Sequence, residues 1–384
     1  MCIRIPRNLD AAAQAPNVRE HRKRMRVAVL GATGQAGRTV SRLLLQEAAI
    51  DVVACGRNDE RLDALAASLS GSGSALTTTV CELSDEARLR EVLASVDVVV
   101  GATSRWTDGP RIATQAIEAG TSYLGLYLSS PQKWQQLRAL EAASRDRGIA
   151  VVDDGGVHPG LPGPMIRFAN DESPLASAWV GGKLSVNWRA LRFSPETVRD
   201  FAAELGLMDP ALMMDREWVR GYRHSRRFDF GDGCGPVSCV PMGLEEVREV
   251  ANEFPELQST GFFIAGFGRV VDYGVLPLTL ALGSVRPRAA SRILLWGLRQ
   301  FASSSEGAAL VLEAVALDAR RITLRVSHPD PYVLTGIPAV ATVRQILAAP
   351  KPGVWTQSAF VEPRRFFQDV ERLGASVAFA ADAL

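Results

Sequence analysis

Three glycines spaced three residues apart, Gly31, Gly34 and Gly37, stand between the runs Arg26–Leu30 and Asp51–Cys55, and no other feature of the 384 residues restricts the fold as much. Gly31 permits a tight turn directly off a first strand, Gly34 lets backbone amides approach a pyrophosphate, and Gly37 lets the following helix pack closely on the strand. Behind them Val40, Leu43 and Leu44 recur at helical spacing, giving the helix one apolar face to lay on a sheet. Strand, glycine turn, amphipathic helix and second strand make a dinucleotide-binding βαβ unit. Its phosphate site is formed by the turn residues Gly31, Thr33, Gly34, Gln35, Ala36 and Gly37, at the positive end of the helix dipole.

The residue after the second strand selects the cofactor. An acidic side chain there would bond a ribose 2′-hydroxyl, whereas this chain places Arg57, whose guanidinium can fork onto a 2′-phosphate. Asp59 and Glu60 follow Asn58, which has the character of a helix N-cap, so they read as first-turn residues rather than ribose ligands. NADP(H) is the expected cofactor.

Downstream, strands and helices alternate. Leu76–Val80 reads as a strand, Asp85–Ser95 as a helix, Val96–Gly101 as a strand, and Pro110–Ala119 as a helix stopped by Gly120. Strand Tyr123–Tyr127, helix Pro131–Arg147 and strand Ile149–Asp153 complete six strands. The fold class is α/β, a Rossmann doubly wound parallel sheet. In such sheets ligands bind beyond the carboxyl ends of the strands, so loops Gly101–Arg105, Tyr127–Ser130 and Asp154–Pro162 should converge on the nicotinamide, with Ala102 and Thr103 against the cofactor.

Beyond Pro164 the pattern changes. Ala178–Val186, Gly261–Val270, Ala308–Leu317 and Ile322–Ser327 read as strands, the last two as a hairpin, with helices Pro195–Leu205 and Leu244–Glu253 and a glycine-rich loop Gly231–Gly235 between them. Thr335–Ala348 and Pro363–Leu373 read as helices. The expected organisation is a disordered extension over 1–24, a cofactor domain over 25–155, a second α/β domain with a mixed sheet over 156–333, and C-terminal helices over 334–384 that return to the first domain. Met25 stands directly before the first strand and offers an alternative start of translation.

Residues 1–24 lack a sustained apolar stretch and read as neither a signal peptide nor a membrane helix. Leu276–Gly283 and Ile293–Leu298 are the most apolar runs after the cofactor domain; both are too short to span a bilayer, Arg286, Arg288 and Arg292 intervene, and buried helices or an oligomer interface are expected. A net charge of +1 gives no electrostatic reason to invoke nucleic acid, so the expected partner is a small molecule, with a homodimer left open. Five scattered cysteines, Cys2, Cys55, Cys81, Cys234 and Cys239, suggest a reducing, cytoplasmic setting, and no metal-ligand spacing accompanies them.

With these motifs in hand, the chain resembles the saccharopine dehydrogenase-like (saccharopine reductase) family. The resemblance rests on the Gly31–Gly37 turn, Gly56-Arg57, Asp97–Ala102, Glu118–Tyr123 and above all Gly156-Val-His158-Pro-Gly160-Leu-Pro162, with Leu334–Pro338 and Lys351–Trp355 late in the chain. It implies hydride transfer between NADP(H) and a carbon–nitrogen bond, as imine reduction, reductive condensation of an aldehyde with an amino acid, or the reverse. Related groups include carboxynorspermidine-type synthases and a lipid enoyl reductase, and fold kinship does not choose among them. The chain departs from true saccharopine reductases, which carry Asp where His158 stands, an Asp-His pair at Pro162-Gly163, and a Ser-Tyr-x-Ser-Pro run where this chain has Leu126-Tyr127-Leu128-Ser129-Ser130. These departures point away from saccharopine itself as substrate.

Hydride transfer to nitrogen-bonded carbon needs a proton donor or acceptor. His158 is the first candidate, in a loop expected to face the nicotinamide and with an ordinary pKa of about 6.5; a structural histidine bonded to a loop carbonyl is the alternative. Tyr127, at a strand's carboxyl end, and Lys183, in a second-domain strand, are further catalytic candidates, with core packing and a sheet-edge position as their alternatives. Arg105 and Ser129 are candidates to hold substrate, Arg105 by bidentate bonding to a carboxylate. An enoyl reductase of a lipid-like substrate and a non-catalytic NADP(H)-binding regulator remain as other readings.

Overall fold

The computed structural model describes residues 24–70, 75–190, 209–221, 223–231, 233, 235–283, 285–302 and 306–382. All but Arg24 of the extension expected to be disordered, the helix expected over Pro195–Leu205, Cys2 and Cys234 lie outside the described residues.

The first half of the chain alternates as its pattern predicts: β1 (Met25–Leu30), α1 (Gln35–Leu44), β2 (Ile50–Gly56), α2 (Asp59–Leu69), β3 (Leu76–Val80), α3 (Glu86–Ala94), β4 (Val98–Gly101), α4 (Asp108–Ala119), β5 (Ser122–Gly125), α5 (Pro131–Arg138), α6 (Glu141–Asp146) and β6 (Ala150–Asp153). One difference is the single helix expected over Pro131–Arg147, which divides after Arg138 into α5 and α6.

α7 (Pro162–Glu172) leads into β7 (Leu175–Ser185), followed by the short strands β8 (Ala211–Met214), β9 (Glu217–Arg220), β10 (Arg226–Phe228) and β11 (Val237–Pro241), none of which the sequence pattern disclosed. Then come α8 (Glu245–Glu253), β12 (Ser259–Ala265), a π-helical turn over Val271–Val275, α9 (Leu276–Gly283), α10 (Pro287–Phe301), β13 (Gly307–Ala316), β14 (Arg321–His328), α11 (Pro331–Ala348), β15 (Gly353–Thr356), α12 (Gln357–Phe360), α13 (Pro363–Arg372) and β16 (Ser376–Asp382).

Seven parallel strands form the Rossmann sheet in the order β15-β6-β5-β4-β1-β2-β3. The seventh, β15, comes from the end of the chain. A cluster of buried aliphatic residues runs continuously from Val27, Val29 and Val40 of this sheet to Val180, Leu310 and Leu324 of the second, through Val340 of α11. Gly336 of α11 lies so close to α1 that a Cβ there would stand 2.9 Å from Thr39 Cγ2.

The second sheet is mixed, in the order β10-β11-β12-β7-β13-β14-β16, with β8 and β9 attached at β12. Its two faces alternate along β7, as they must in a strand: a Cβ on Gly182 would meet the ring of Phe262, in the main cluster, whereas one on Gly181 would lie 2.4 Å from Phe228 on the opposite, outer face. There Leu212, Phe228, Phe230, Cys239, Phe263 and Val311 make a separate core.

Candidate active site

At the carboxyl end of β1 the glycine turn does what its spacing demands. Gly31 has φ +83°, and a Cβ on it would stand 2.6 Å from Ala102 O and 3.1 Å from Thr103 N, so only glycine lets the first turn close against the loop after β4. A Cβ on Gly37 would lie 2.3 Å from Gly31 O. Gly34, the N-cap of α1, contributes no capping side chain, and the first turn of α1 holds no acid, so the amides of Gln35, Ala36 and Gly37 face an anion with nothing competing for them. These residues fit a dinucleotide pyrophosphate.

Arg57 is exposed just past β2, and Asn58 caps α2 by accepting from Arg61 N at 2.8 Å, which places Asp59 and Glu60 in the helix's first turn. A second guanidinium, absent from the sequence reading, joins the site: Arg61 Nη2 donates to Thr33 O at 3.3 Å, reaching back over the glycine turn. One helical turn separates it from Arg57, a spacing that could have flagged it.

The three loops expected to converge do so through hydrogen bonds. Thr103 Oγ1 lies 2.9 Å from Tyr127 OH and donates to Asp108 Oδ2 at 2.8 Å, while Ser129 Oγ donates to Asp154 Oδ2 at 2.7 Å. Below Ser129 sits an ionic cluster sealed from solvent. Lys133 Nζ is 2.6 Å from both Asp153 Oδ1 and Asp154 Oδ1, and all three side chains are 0% exposed. Tyr123 OH donates to Asp153 Oδ2 at 2.9 Å, and Trp134 Nε1 donates to Asp154 Oδ2 at 3.0 Å.

Burial disfavours the Lys133 ammonium, but Asp153 and Asp154 outweigh it and hold the lysine above its ordinary range. Burial also raises Asp154, against the pull of Lys133. Asp154 has φ +56°, a left-handed conformation uncommon outside glycine, and its side-chain bonds to Ser129, Lys133 and Trp134 fix it there. None of this cluster was anticipated. Its members lie 20 residues apart in sequence, and only the packing of α5 onto β6 brings them together.

The His158 loop is clamped from two sides. Glu246 of α8 accepts from Gly160 N at 2.7 Å and Gly163 N at 3.0 Å, and Gln357 Nε2 donates to Gly160 O at 2.8 Å. Burial pushes the Glu246 carboxyl up to about 8, against its two amide donors. His158 stands on a cis peptide bond to Pro159, with its ring 5.8 Å from that of Phe262. It is half-buried by area, yet burial of its ring pulls the imidazole down to about 4. The expected pKa near neutrality is thereby corrected: at physiological pH this histidine is a neutral imidazole.

Between the loops after β4 and β5 and the segment preceding and opening α8 lies a cleft, open to solvent, with a cavity volume of about 50 Å³. Its walls include Trp106, Ser129, Asp209, Met242, Glu245 and Arg248. Arg248 is held by Asp209 Oδ2 at 2.9 Å and lies 4.4 Å over the ring of Trp218; Ser129 Oγ also accepts from Glu245 N at 3.2 Å.

Of the sequence candidates, Ser129 reaches the cleft. Tyr127 does not: it is 4% exposed, its phenol rests on Thr103 beneath Gly101, and burial raises its pKa, so the packing alternative describes it. Lys183 lies on the interior strand β7 between β12 and β13, not at a sheet edge, and strand alternation puts it on the outer face with Gly181, away from the cofactor sheet. Arg105 is exposed, 3.8 Å from Asp108, and is not among the residues lining the cleft.

Residues 27–152 match the family model described as the saccharopine dehydrogenase NADP-binding domain. Among solved structures, the chain is similar to the apo saccharopine dehydrogenase (L-Glu forming) of Saccharomyces cerevisiae, at 17% identity and a TM-score of 0.64 over 94% of this chain and 100% of that one. It is also similar to an amine dehydrogenase from Mycobacterium smegmatis, at 15% identity and a TM-score of 0.49 over 90% and 98% of the two chains. No curated protein matches it. The cofactor is NADP(H), and residues 27–152 form a saccharopine dehydrogenase NADP-binding domain.

Proposed function

We propose that the protein transfers hydride between NADP(H) and the carbon–nitrogen bond of an amino-acid-derived substrate bound in the cleft between Ser129 and Arg248. The observation carrying this reading is the polarity of the cleft wall: Asp209, Glu245 and Arg248 offer both signs of charge, which suits a zwitterion and poorly suits an acyl chain. NADPH supplies the hydride.

The chain supplies orientation and a proton path. Arg248, fixed by Asp209 and Trp218, is placed to hold a carboxylate. Ser129 Oγ stands between the cleft and Asp154, so a proton leaving or reaching the substrate nitrogen passes at Ser129 Oγ, with the buried carboxylate behind it. His158, neutral and outside the residues lining the cleft, does not serve as an imidazolium acid in this reading.

The test is loss of nicotinamide absorbance when the protein and NADPH meet a panel of amino acid plus aldehyde pairs and, separately, enoyl thioesters. Oxidation with a pair is the expected result. Oxidation with enoyl thioesters alone replaces this reading with the lipid one, and tight NADPH binding with no oxidation by any substrate replaces it with a regulator. Ser129→Ala is expected to lower turnover about 100-fold or more with NADPH affinity unchanged, the usual loss of a general acid–base path; retention within a few-fold removes Ser129 from the chemistry.

A further inference from the structure

We infer that the hairpin formed by the π-helical turn, α9 and α10 is a docking surface for an anionic lipid bilayer, a role independent of the chemistry assigned to the cleft. Of the two apolar runs expected to be buried helices or an oligomer interface, Leu276–Gly283 is in large part exposed, whereas Ile293–Leu298 buries Leu294, Gly297 and Leu298 and exposes Trp296; further apolar side chains beside the runs are exposed as well. Tyr273 is 83% exposed, Val285 76%, Trp296 55% and Leu278 49%, and Val270, Leu280 and Phe301 are also exposed. α9 reads Leu-Pro-Leu-Thr-Leu-Ala-Leu-Gly with no polar face, and Thr279 is its buried residue. A helix apolar all round normally lies inside a protein or a membrane, and this one lies inside neither.

The hairpin has its own small core of Val271, Val275, Leu294 and Leu298. It is fastened at its base, where Arg189 Nε donates to Arg299 O at 2.7 Å and the rings of Trp188 and Phe267 meet edge to face at 6.0 Å. It is therefore a folded projection.

Charge identifies what covers it. Residues 266–302 hold Arg269, Arg286, Arg288, Arg292 and Arg299 against Asp272, a net +4 in a chain of net +1, so the remaining residues sum to −3. The one acid is occupied, accepting from Phe267 N at 2.9 Å and Gly268 N at 3.1 Å. Exposed Tyr, Trp and Leu interleaved with arginines and free of competing acids is the composition that settles at a headgroup boundary, apolar groups in the acyl region and guanidinium groups at lipid phosphates. A second copy is the poorer occupant, because a two-fold interface would set one +4 patch against another. No helix of the described residues is long and apolar enough to cross a membrane, so the hairpin lies on the surface.

Flotation of the full chain with vesicles decides the matter. The protein is expected to float with vesicles containing phosphatidylglycerol at low salt, to be released at high salt, and to stay behind with pure phosphatidylcholine. Arg286→Glu combined with Arg292→Glu should lower partition about 10-fold or more, since each surface arginine is worth about 1 kcal/mol beside anionic lipid. Trp296→Ser combined with Leu278→Ser should lower it at low salt by removing the apolar contacts. NADPH binding, unchanged in both double variants, reports intact folding. Failure to float with anionic vesicles overturns the proposal, as does partition of the variants equal to the parent's, or light scattering that shows a dimer which Trp296→Ser splits into monomers.

Discussion

Two lysines, one in each sheet's half of the molecule, show how little a residue type says without its surroundings. Lys133 is completely buried, locked between Asp153 and Asp154 under the cleft. Lys183 is half-buried on the outer face of the mixed sheet, among aromatic side chains and close enough to Cys239 to offset part of the rise to about 12 that burial imposes on that thiol. The sequence singles out Lys183 because it sits in a predicted second-domain strand, and passes over Lys133 because it sits in a predicted helix. Topology reverses their standing: strand ends of a parallel sheet converge on a ligand site, whereas an outer sheet face need only pack.

The sharpest way to break the comparison is to remove the Lys133 charge. Lys133→Met leaves two buried carboxylates facing each other without their cation, and a loss of about 3–5 kcal/mol of stability is expected. Urea denaturation measures it; a loss below about 1 kcal/mol would mean that Asp154 takes a proton at little cost and that the cluster is not ionic.

Next in size is the cofactor end of the same sheet. Arg57→Asp should weaken NADPH binding by about 2 kcal/mol, through loss of a charge-assisted contact and added repulsion, while NADH binding holds or improves. Equal losses for both nucleotides would show general damage to the glycine turn instead. Arg61→Ala should produce a smaller loss of the same selectivity, because Arg61 also bonds Thr33 O.

What could be read in advance divides along the same line. The cofactor unit was legible because its physics is local: the Gly31 turn, the Asn58 cap and the Gly120 stop each constrain their immediate neighbours. The meeting of the loops that carry Ser129 and Asp154 was legible through the rule that loops after parallel strands converge. The cluster of Lys133, Asp153 and Asp154 was not, since it depends on the seating of α5. Strands β8 to β11 escaped because three- to five-residue segments carry too few alternations to show a period. The His158 pKa was misjudged for a related reason: burial lowers it, and a ring packed near it, Phe262, comes from about 100 residues downstream in the mixed sheet.

His158 and the Glu246 clamp on its loop give opposite pH signatures. Glu246, raised to about 8 from an ordinary 4.5, stays protonated in the folded chain while the unfolded chain ionises, so the folded state holds the extra proton and stability falls as pH rises between those values. His158, lowered to about 4 from 6.5, works the other way, and stability rises with pH through that window. Between pH 6.5 and 8 only the Glu246 slope remains, at most about 1.4 kcal/mol per pH unit for one proton. Glu246→Gln should flatten the stability profile over that interval in urea melts. A profile as steep as the parent's would place the titration elsewhere.

The smallest expected effect is the most telling for the comparison. Lys183→Met keeps the stem that packs on the outer face and removes only the charge, and turnover should stay within two-fold of the parent, since neither the cleft wall nor the cofactor turn includes this residue. Its Cys239 neighbour should react with a small thiol reagent even more slowly than before, because the one cation lowering that buried thiol's pKa is gone. A fall in turnover of 100-fold or more, with the thiol rate unchanged, would put the Lys183 ammonium back at the reacting atoms and require the cleft to reach through the mixed sheet. The order of β7 between β12 and β13, with Gly181 closed over by Phe228, leaves no such passage along the described strands.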